Sequence, residues 1–216
     1  MYRQTARTRA NAVQRKEGLE QAARQVVARG GFTAASISAV SAAAGCSAGL
    51  VYSYFDGRDE LLAAVFARAS ARELAIVESA AQEAPTLAEL ADAVVSVFVE
   101  RAVAGRTLAY ALLFEPVPES VQRERIRARA AYAAAIAEGF RRVGAEVSGT
   151  DSADAGGADT GRLGICPEIA ARGLMGAVLE NLFILLSGDG PAPSPDQVQR
   201  LISEISTYSR RALGAA

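Results

Sequence analysis

The stretch of sequence that decides the fold lies at residues 36–55 and reads SISAVSAAAGCSAGLVYSYF. Ser36 and Ser47 each precede a short run of residues that can form a helix, and a serine hydroxyl in that position caps the first helical turn. Gly45 lies between the two runs, and a glycine at this point favours the left-handed conformation that ends a helix. The pattern therefore predicts two short helices joined by a tight turn.

The residues of the two helices divide between a core and, on the second helix, an outer surface. Ile37, Val40, Cys46, Val51 and Phe55 supply a compact core, while small residues and hydroxyls remain for the outside. A short helix of this kind fits the major groove of DNA, where it can contact base edges and phosphates. An ordinary helical hairpin that ends in aromatic residues is the alternative interpretation.

The surrounding residues resemble the tetracycline-repressor (TetR) family of bacterial transcription regulators over about residues 15–65. The matching positions are Ala22-Ala23, Gly31-Phe32, Ser36 to Val40, Ala44 to Phe55, and Arg58-Asp59-Glu60-Leu61. Cys46, Leu50 and Arg58 depart from the residues that the family usually has. Leu50 would favour apolar contact with a thymine methyl group over hydrogen bonding to a base.

The resemblance implies a role in DNA binding for a set of residues at matching positions. Ser36, Tyr54 and Arg58 correspond to phosphate contacts, and Arg15 and Lys16 are expected to bind the flanking backbone. Those expected at the DNA are Arg15, Lys16, Ser36, Ser47, Ala48, Gly49, Leu50, Tyr52, Ser53, Tyr54 and Arg58.

Charge is distributed unevenly along the chain. Residues 1–29 carry a net charge of +5, and the remaining residues carry −6, although the whole chain has a net charge of −1. A basic end on an acidic body suggests contact with a polyanion. A solvated N-terminal tail is the alternative explanation.

Composition excludes several classes of function. The 216 residues include no histidine and only two cysteines, which removes histidine-dependent catalysis and the usual zinc sites. Glu115, Glu180 and Tyr110 are candidate acid/base groups, but no nucleophile or phosphate loop accompanies them. We expect no enzyme, metal or cofactor. With no signal peptide and no apolar run near the 20 residues of a membrane span, a cytoplasmic protein is expected.

The chain is predicted to be all-α, with about nine helices. Residues 1–57 are expected to form a three-helix DNA-binding head with a basic tail, and residues 58–216 a helical effector-binding and dimerisation bundle. Asp56 is predicted to cap the helix that starts at Arg58, with Asp59 as its pair. Residues 144–164, rich in Gly, Ala, Ser, Thr and Asp, are predicted to form a mobile loop.

Two features of the bundle predict a homodimer. The last helix has an apolar stripe, and the helix before it, about residues 168–186, is apolar around most of its circumference. The expected interface comprises Leu179, Leu182, Leu186, Leu201, Ile205 and Tyr208. A helix buried at the centre of a monomer is the alternative.

Aromatic residues in the middle helices predict an effector pocket. The candidates are Phe98, Tyr110, Phe114, Tyr132 and Phe183, and ordinary core packing is the alternative for each of them. We therefore expect a dimeric repressor that binds a palindromic double-stranded operator and is released by a small, largely hydrophobic effector. A DNA-binding protein with the same head but no effector remains the alternative.

Overall fold

The computed structural model describes residues 6–149, 163–187 and 191–215, and this part of the chain is helical without strands. An all-α fold of about nine helices is therefore confirmed. The helices are α1 Ala6–Ala34, α2 Ile37–Ala44, α3 Ala48–Tyr52, α4 Arg58–Glu83, α5 Leu87–Ala104, α6 Arg106–Leu113, α7 Glu119–Gly149, α8 Pro167–Ser187 and α9 Pro195–Ala212.

Serine and threonine caps define the starts of several helices, as the sequence predicts. Ser36 accepts the Ala39 N–H at 3.1 Å, and Ser47 accepts that of Leu50 at 3.3 Å. The helices α5 and α9 begin at further caps, which are Thr86 and the reciprocal box Ser194–Gln197. Each cap satisfies backbone donors that have no partner inside the helix, so these short helices start at defined residues.

Two predictions about helix ends are wrong. Asp56 does not cap α4, because Gly57 occupies the N-cap position without a side-chain hydrogen bond and the Glu60 carboxylate accepts the Asp56 N–H. The first six residues of the predicted loop 144–164 are helical instead, since α7 continues to Gly149. Helix propagation adds one hydrogen bond for each residue fixed, and the Ala-Glu-Val run that follows Gly144 allows it. Residues 150–162 of the predicted loop lie outside the described residues.

The helix α1 is interrupted at a pair of glycines, Gly30 and Gly31. Gly30 has φ −146° and ψ 20°, and Gly31 has φ 71° and ψ −177°, so the regular helix ends there. Phe32 turns back into the protein and is 1% exposed. The irregular turn that follows the break brings the end of α1 against α6, and this contact positions the site described below.

Three apolar clusters hold the helices together. We call α1–α3 the head and α5–α9 the body, and α4 belongs to both. The first turns of α4 supply Leu61 and Val65 to the head cluster around Val40 and Val51. A second cluster joins head to body through α1, α4, α6 and α7, and the third and largest lies within the body. A displacement of α4 or α6 must therefore reach the head.

The helix α8 is long and apolar enough to cross a membrane by length and composition, with a mean hydropathy of 1.7 over an 18-residue window. The expectation that no segment approaches that limit is thus wrong. Its buried residues line the core of the body; they are Ala170, Ala171, Leu174, Met175, Val178, Leu182 and Leu186. Packing within the chain explains the buried 39% of this window, because a helix with neighbours on several sides needs apolar residues toward each of them.

Candidate nucleic-acid interface and effector cavity

One face of helix α3 is exposed to solvent, and the opposite face packs against the other helices of the head. Val51 and Phe55 are buried, and they anchor the helix against α1, α2 and α4. On the outer face Tyr52 is 58% exposed, while Leu50 and Tyr54 are half-buried. Ser47, Ala48, Gly49 and Ser53 are also exposed. Most of the predicted base and sugar contacts therefore share one accessible surface on a firmly packed helix.

The hydroxyl groups on this surface differ in what they can still bind. Ser36 and Ser47 use an oxygen lone pair to cap their helices, so each keeps a proton that can be donated to a phosphate. Ser53 donates its proton to the Leu50 carbonyl at 2.7 Å. Since phosphate oxygens only accept, Ser53 in this conformation offers them nothing and serves only as an acceptor.

The basic residues near the head have different environments. Arg15 is exposed, whereas the Lys16 ammonium lies 5.1 Å from the centre of the Phe55 ring. The guanidinium of Arg58 donates to the carbonyls of Phe32 and Ala35, at the junction of α1 and α2. Arg58 thus positions the head, and a phosphate contact would have to compete with these two carbonyls.

Glu115, just after α6, connects the body to the head. One carboxylate oxygen accepts the Phe32 N–H at 2.8 Å; the other accepts the Thr33 N–H at 3.0 Å and the Thr33 hydroxyl at 2.8 Å. These donors follow the break in α1 at Gly31, where the helix no longer supplies acceptors. The carboxylate considered as a catalytic acid is therefore committed to holding α1.

A Glu115→Gln variant should weaken this connection without changing its size. A glutamine amide carries one oxygen acceptor, so at least one of the three donors would face an NH2 group. We expect the free energy of unfolding to fall by about 1–3 kcal/mol, measured by urea denaturation. Glu119→Gln is a matched control on the exposed first turn of α7, and an equal loss in both variants would contradict the assignment.

Arg125 of α7 lies behind this connection. Its guanidinium donates to the carbonyls of Leu112 at 2.9 Å, Ala111 at 3.2 Å and Glu115 at 2.9 Å. Burial lowers the pKa of Arg125, and the nearby charge of Arg129 lowers it further. The arginine closes the C-terminal end of α6, where carbonyls lack helical partners.

A cavity of about 480 Å³ lies beside Arg125, between α4, α5, α6, α7 and α8. Its walls are mostly apolar, and Arg24 reaches it from α1. The volume is within the range of about 300–1,000 Å³ that small-molecule sites have. The cavity thus touches the body, the linking helix α4 and the head.

Two of the five predicted pocket residues line this cavity. Phe98 and Tyr132 pack against each other with ring centroids 5.3 Å apart, and the Tyr132 hydroxyl donates to the Ser70 carbonyl at 3.2 Å. Burial raises the pKa of Tyr132, so the phenol stays neutral at physiological pH. The other three, Tyr110, Phe114 and Phe183, form a separate aromatic cluster.

Sequence patterns missed the charged residues of the cavity. Val121, Arg125, Ala128, Tyr132 and Ile136 follow one another at helical spacing along α7. All but Arg125 are apolar or aromatic. A single charged residue within an apolar stripe is the sequence feature that could have indicated the charged lining of the cavity. Such a charge needs partners when it is buried, and here the carbonyls of α6 supply them.

The predicted dimer residues separate into buried and accessible ones. Leu182, Leu186 and Ile205 lie inside the body of the same chain, and Leu179 lines the cavity. Tyr208 is exposed and borders a shallow groove between α8 and α9. The groove contains Gly173, Gly176, Ala177, Glu180, Asn181, Leu201, Glu204, Ile205 and Tyr208. Beyond it Ile184 is 71% exposed, so the accessible face of the two helices is offset from the predicted stripe.

Comparison with known proteins agrees with this arrangement. Residues 20–65 match the model of the family described as bacterial regulatory proteins, tetR family. This match covers α2, α3, most of α1 and the start of α4. A search of curated proteins gives no match by sequence.

Solved structures extend the similarity over the whole chain. A putative transcriptional regulator from Pseudomonas aeruginosa PAO1 has 21% identity and a TM-score of 0.69 over 95% of this chain and 92% of its own. A putative TetR-family regulator from Mesorhizobium loti has 16% identity and a TM-score of 0.68, covering 93% and 96%.

A third similar structure contains a ligand. FadR from Bacillus subtilis, in complex with stearoyl-CoA, has 15% identity and a TM-score of 0.68, covering 93% of this chain and 98% of its own. At these identities the similarity establishes the fold. Together with the match at residues 20–65, it shows that the chain has a TetR-like fold and that its helix-turn-helix head resembles that of the bacterial regulatory proteins of the tetR family.

Proposed function

We propose that the chain is a dimeric transcriptional repressor, which binds a palindromic operator through α3 and releases it when an effector enters the cavity. The observation that carries the proposal is a chain of contacts from the cavity to the head. Arg125 lines the cavity and holds the end of α6, and Glu115, just after α6, holds α1 of the head. The resemblance of the head to the tetR family supports DNA binding, which is typical of that family. A regulator of this kind works in the cytoplasm, beside the DNA.

Dimerisation supplies the geometry of operator binding. Two copies of α3 related by a two-fold axis contact half-sites about 34–36 Å apart, one helical turn of DNA. We assign the interface to the accessible face of α8 and α9, whose small residues Gly173, Gly176 and Ala177 allow a partner helix to approach closely. Ile184 and Tyr208 add exposed apolar surface on the same two helices.

Effector binding acts through α4, α6 and Arg125. The helices α4 and α6 border the cavity and also contact the head, and Arg125 borders the cavity and holds the end of α6. A ligand that favours one arrangement of them therefore changes the separation of the two α3 helices. A coupling free energy of about 1–3 kcal/mol would change operator affinity by roughly 5- to 150-fold. A protein with the same head and no effector would be expected to fill this volume with side chains.

The proposal is tested by titrating the palindrome upstream of the chain's own gene in a mobility-shift assay over a series of salt concentrations. Specific binding that weakens steeply with salt is expected. Binding that is equal for a scrambled palindrome would contradict the proposal.

Two variants should separate phosphate contacts from base contacts. Arg15→Gln should weaken binding to all sequences and reduce the salt slope by about 0.9 for each phosphate contact that it removes. Leu50→Ala should change the base preferred at one position of each half-site by about 1–3 kcal/mol, with the salt slope unchanged. Competition mobility shifts with single-base operator variants measure both, and the same behaviour in both variants would refute the assignment of roles.

A further inference from the structure

The cavity has a charged side that the expected hydrophobic effector does not explain. Four arginines and two glutamates are among its lining residues; they are Arg24, Arg101, Arg125, Arg129, Glu73 and Glu100. Positive charge is therefore in excess by two. Because an apolar cavity strengthens electrostatic interactions, this excess favours a negatively charged ligand group.

Not all of this charge is available to a ligand, and among the unpaired lining residues Arg24 and Arg129 stand against Glu100. Arg101 is paired with Glu73, and Arg125 is bound by the carbonyls at the end of α6. Among the described residues, Arg24 and Arg129 have neither an ion pair nor a hydrogen bond. Glu20, one turn before Arg24, uses its carboxylate on Arg68 at 2.8 Å.

Arg24 has a further unmet requirement. Its Nε atom is buried without a hydrogen-bond partner. A buried donor without an acceptor costs free energy, and the cost is larger for a charged group. A carboxylate is the acceptor that matches a guanidinium best, because its two oxygens can accept two parallel N–H bonds.

The rest of the cavity is suited to an apolar chain. Val77, Phe98, Leu108, Leu113, Met175 and Leu179 contribute side chains to its walls. None of these residues offers a side-chain hydrogen bond other than the weak acceptor of methionine. A ligand with a long apolar part and one anionic end therefore matches both the apolar walls and the unpaired arginines of the cavity.

We infer that the cavity binds a carboxylate with an apolar chain, and that Arg24 and Arg129 hold the carboxylate. The inference rests on the proposed effector-dependent function and assigns its ligand class. Because Arg24 belongs to α1 of the head and Arg129 to α7 of the body, the carboxylate connects the two directly. Ligand binding thus fixes the position of the head relative to the body, as the hydrogen bonds of Glu115 to α1 also do.

Calorimetric titration of the full chain with dodecanoate, below its micellar concentration and without DNA, tests this inference. Dodecan-1-ol has the same chain and no charge, and dodecanoyl-CoA replaces the carboxylate by a thioester and phosphates. We expect saturable binding of dodecanoate and at least tenfold weaker binding of dodecan-1-ol. Equal affinities for the acid and the alcohol, no dodecanoate binding, or binding of dodecanoyl-CoA alone would overturn the assignment.

Variants locate the charged contact. Arg24→Gln and Arg129→Gln should each weaken dodecanoate binding about tenfold and leave dodecan-1-ol unaffected. Arg127→Gln is the matched control, since Arg127 lies on α7, outside the cavity lining, and pairs with Glu124. If Arg24→Gln does not fold, the exposed Arg129→Gln still decides the matter, and wild-type affinity in that variant would refute the inference.

The titration also separates this inference from the proposed function. If the chain binds dodecanoate through the two arginines but binds no operator, only the proposed repressor function is contradicted. A chain that binds its operator and ignores dodecanoate would contradict only the ligand class.

Discussion

An Ile184→Glu variant is expected to sediment as a monomer and to bind the operator at least about 100-fold more weakly than the parent chain. Ile184 is 71% exposed in the single chain, and it lies on the face of α8 that we assign to the dimer. Burying a carboxylate against the partner's apolar face without a cation is strongly unfavourable. A monomer then loses the gain from two linked half-sites, which is typically about 10²- to 10⁴-fold.

Analytical ultracentrifugation measures the first effect, and mobility shift measures the second. Ile126→Glu is the matched control, because Ile126 is 60% exposed on α7, a helix outside the assigned interface. That variant should remain dimeric and bind DNA normally. A dimeric Ile184→Glu protein, or a control that dissociates equally, would remove the proposed interface.

A Gly31→Ala variant should lose about 3 kcal/mol of unfolding free energy. The φ of 71° and ψ of −177° at Gly31 lie in a region that is essentially restricted to glycine, and an alanine there is strained by about 1–3 kcal/mol. In addition, the new Cβ would lie 2.5 Å from one Glu115 carboxylate oxygen and 2.9 Å from the other. The substitution therefore acts on the backbone turn and on the connection between head and body together.

Urea denaturation with far-UV circular dichroism measures the loss. Gly18→Ala, in the same helix, has open space around the new methyl group and should raise the stability by about 0.5–1 kcal/mol. A Gly31→Ala protein as stable as the parent would show that neither the turn nor the Glu115 contact stabilises the fold.

Local sequence patterns predicted the parts of the structure that local interactions control. Ser36, Gly45 and Ser47 determine the helix-turn-helix, because capping and a left-handed turn depend on a few neighbouring residues. The local pattern failed at Asp56, which was predicted to cap α4. There the Glu60 carboxylate accepts the Asp56 backbone N–H instead.

The residues of the pocket and of the dimer face could not be predicted from local sequence patterns. Helical spacing identified Leu182 and Ile205 as apolar, but an apolar stripe has the same appearance whether it packs within the chain or against a partner. In the structure both are buried by their own chain, and Tyr208 is not. Likewise Phe98 and Tyr132 share a cavity with Arg24, which is more than 70 residues away in sequence.

Sequence alone determined the all-α class and the helix-turn-helix head, and it predicted DNA as the molecule that the head binds. Each depends on residues close together in the chain, where hydrogen-bond geometry and helical periodicity act directly. Only the tertiary structure decided that Glu115 holds the end of α1, that Arg58 supports the head, and that unpaired arginines border an apolar cavity. Those properties arise from charges and donors on different helices, and whether they find partners depends on how the helices pack.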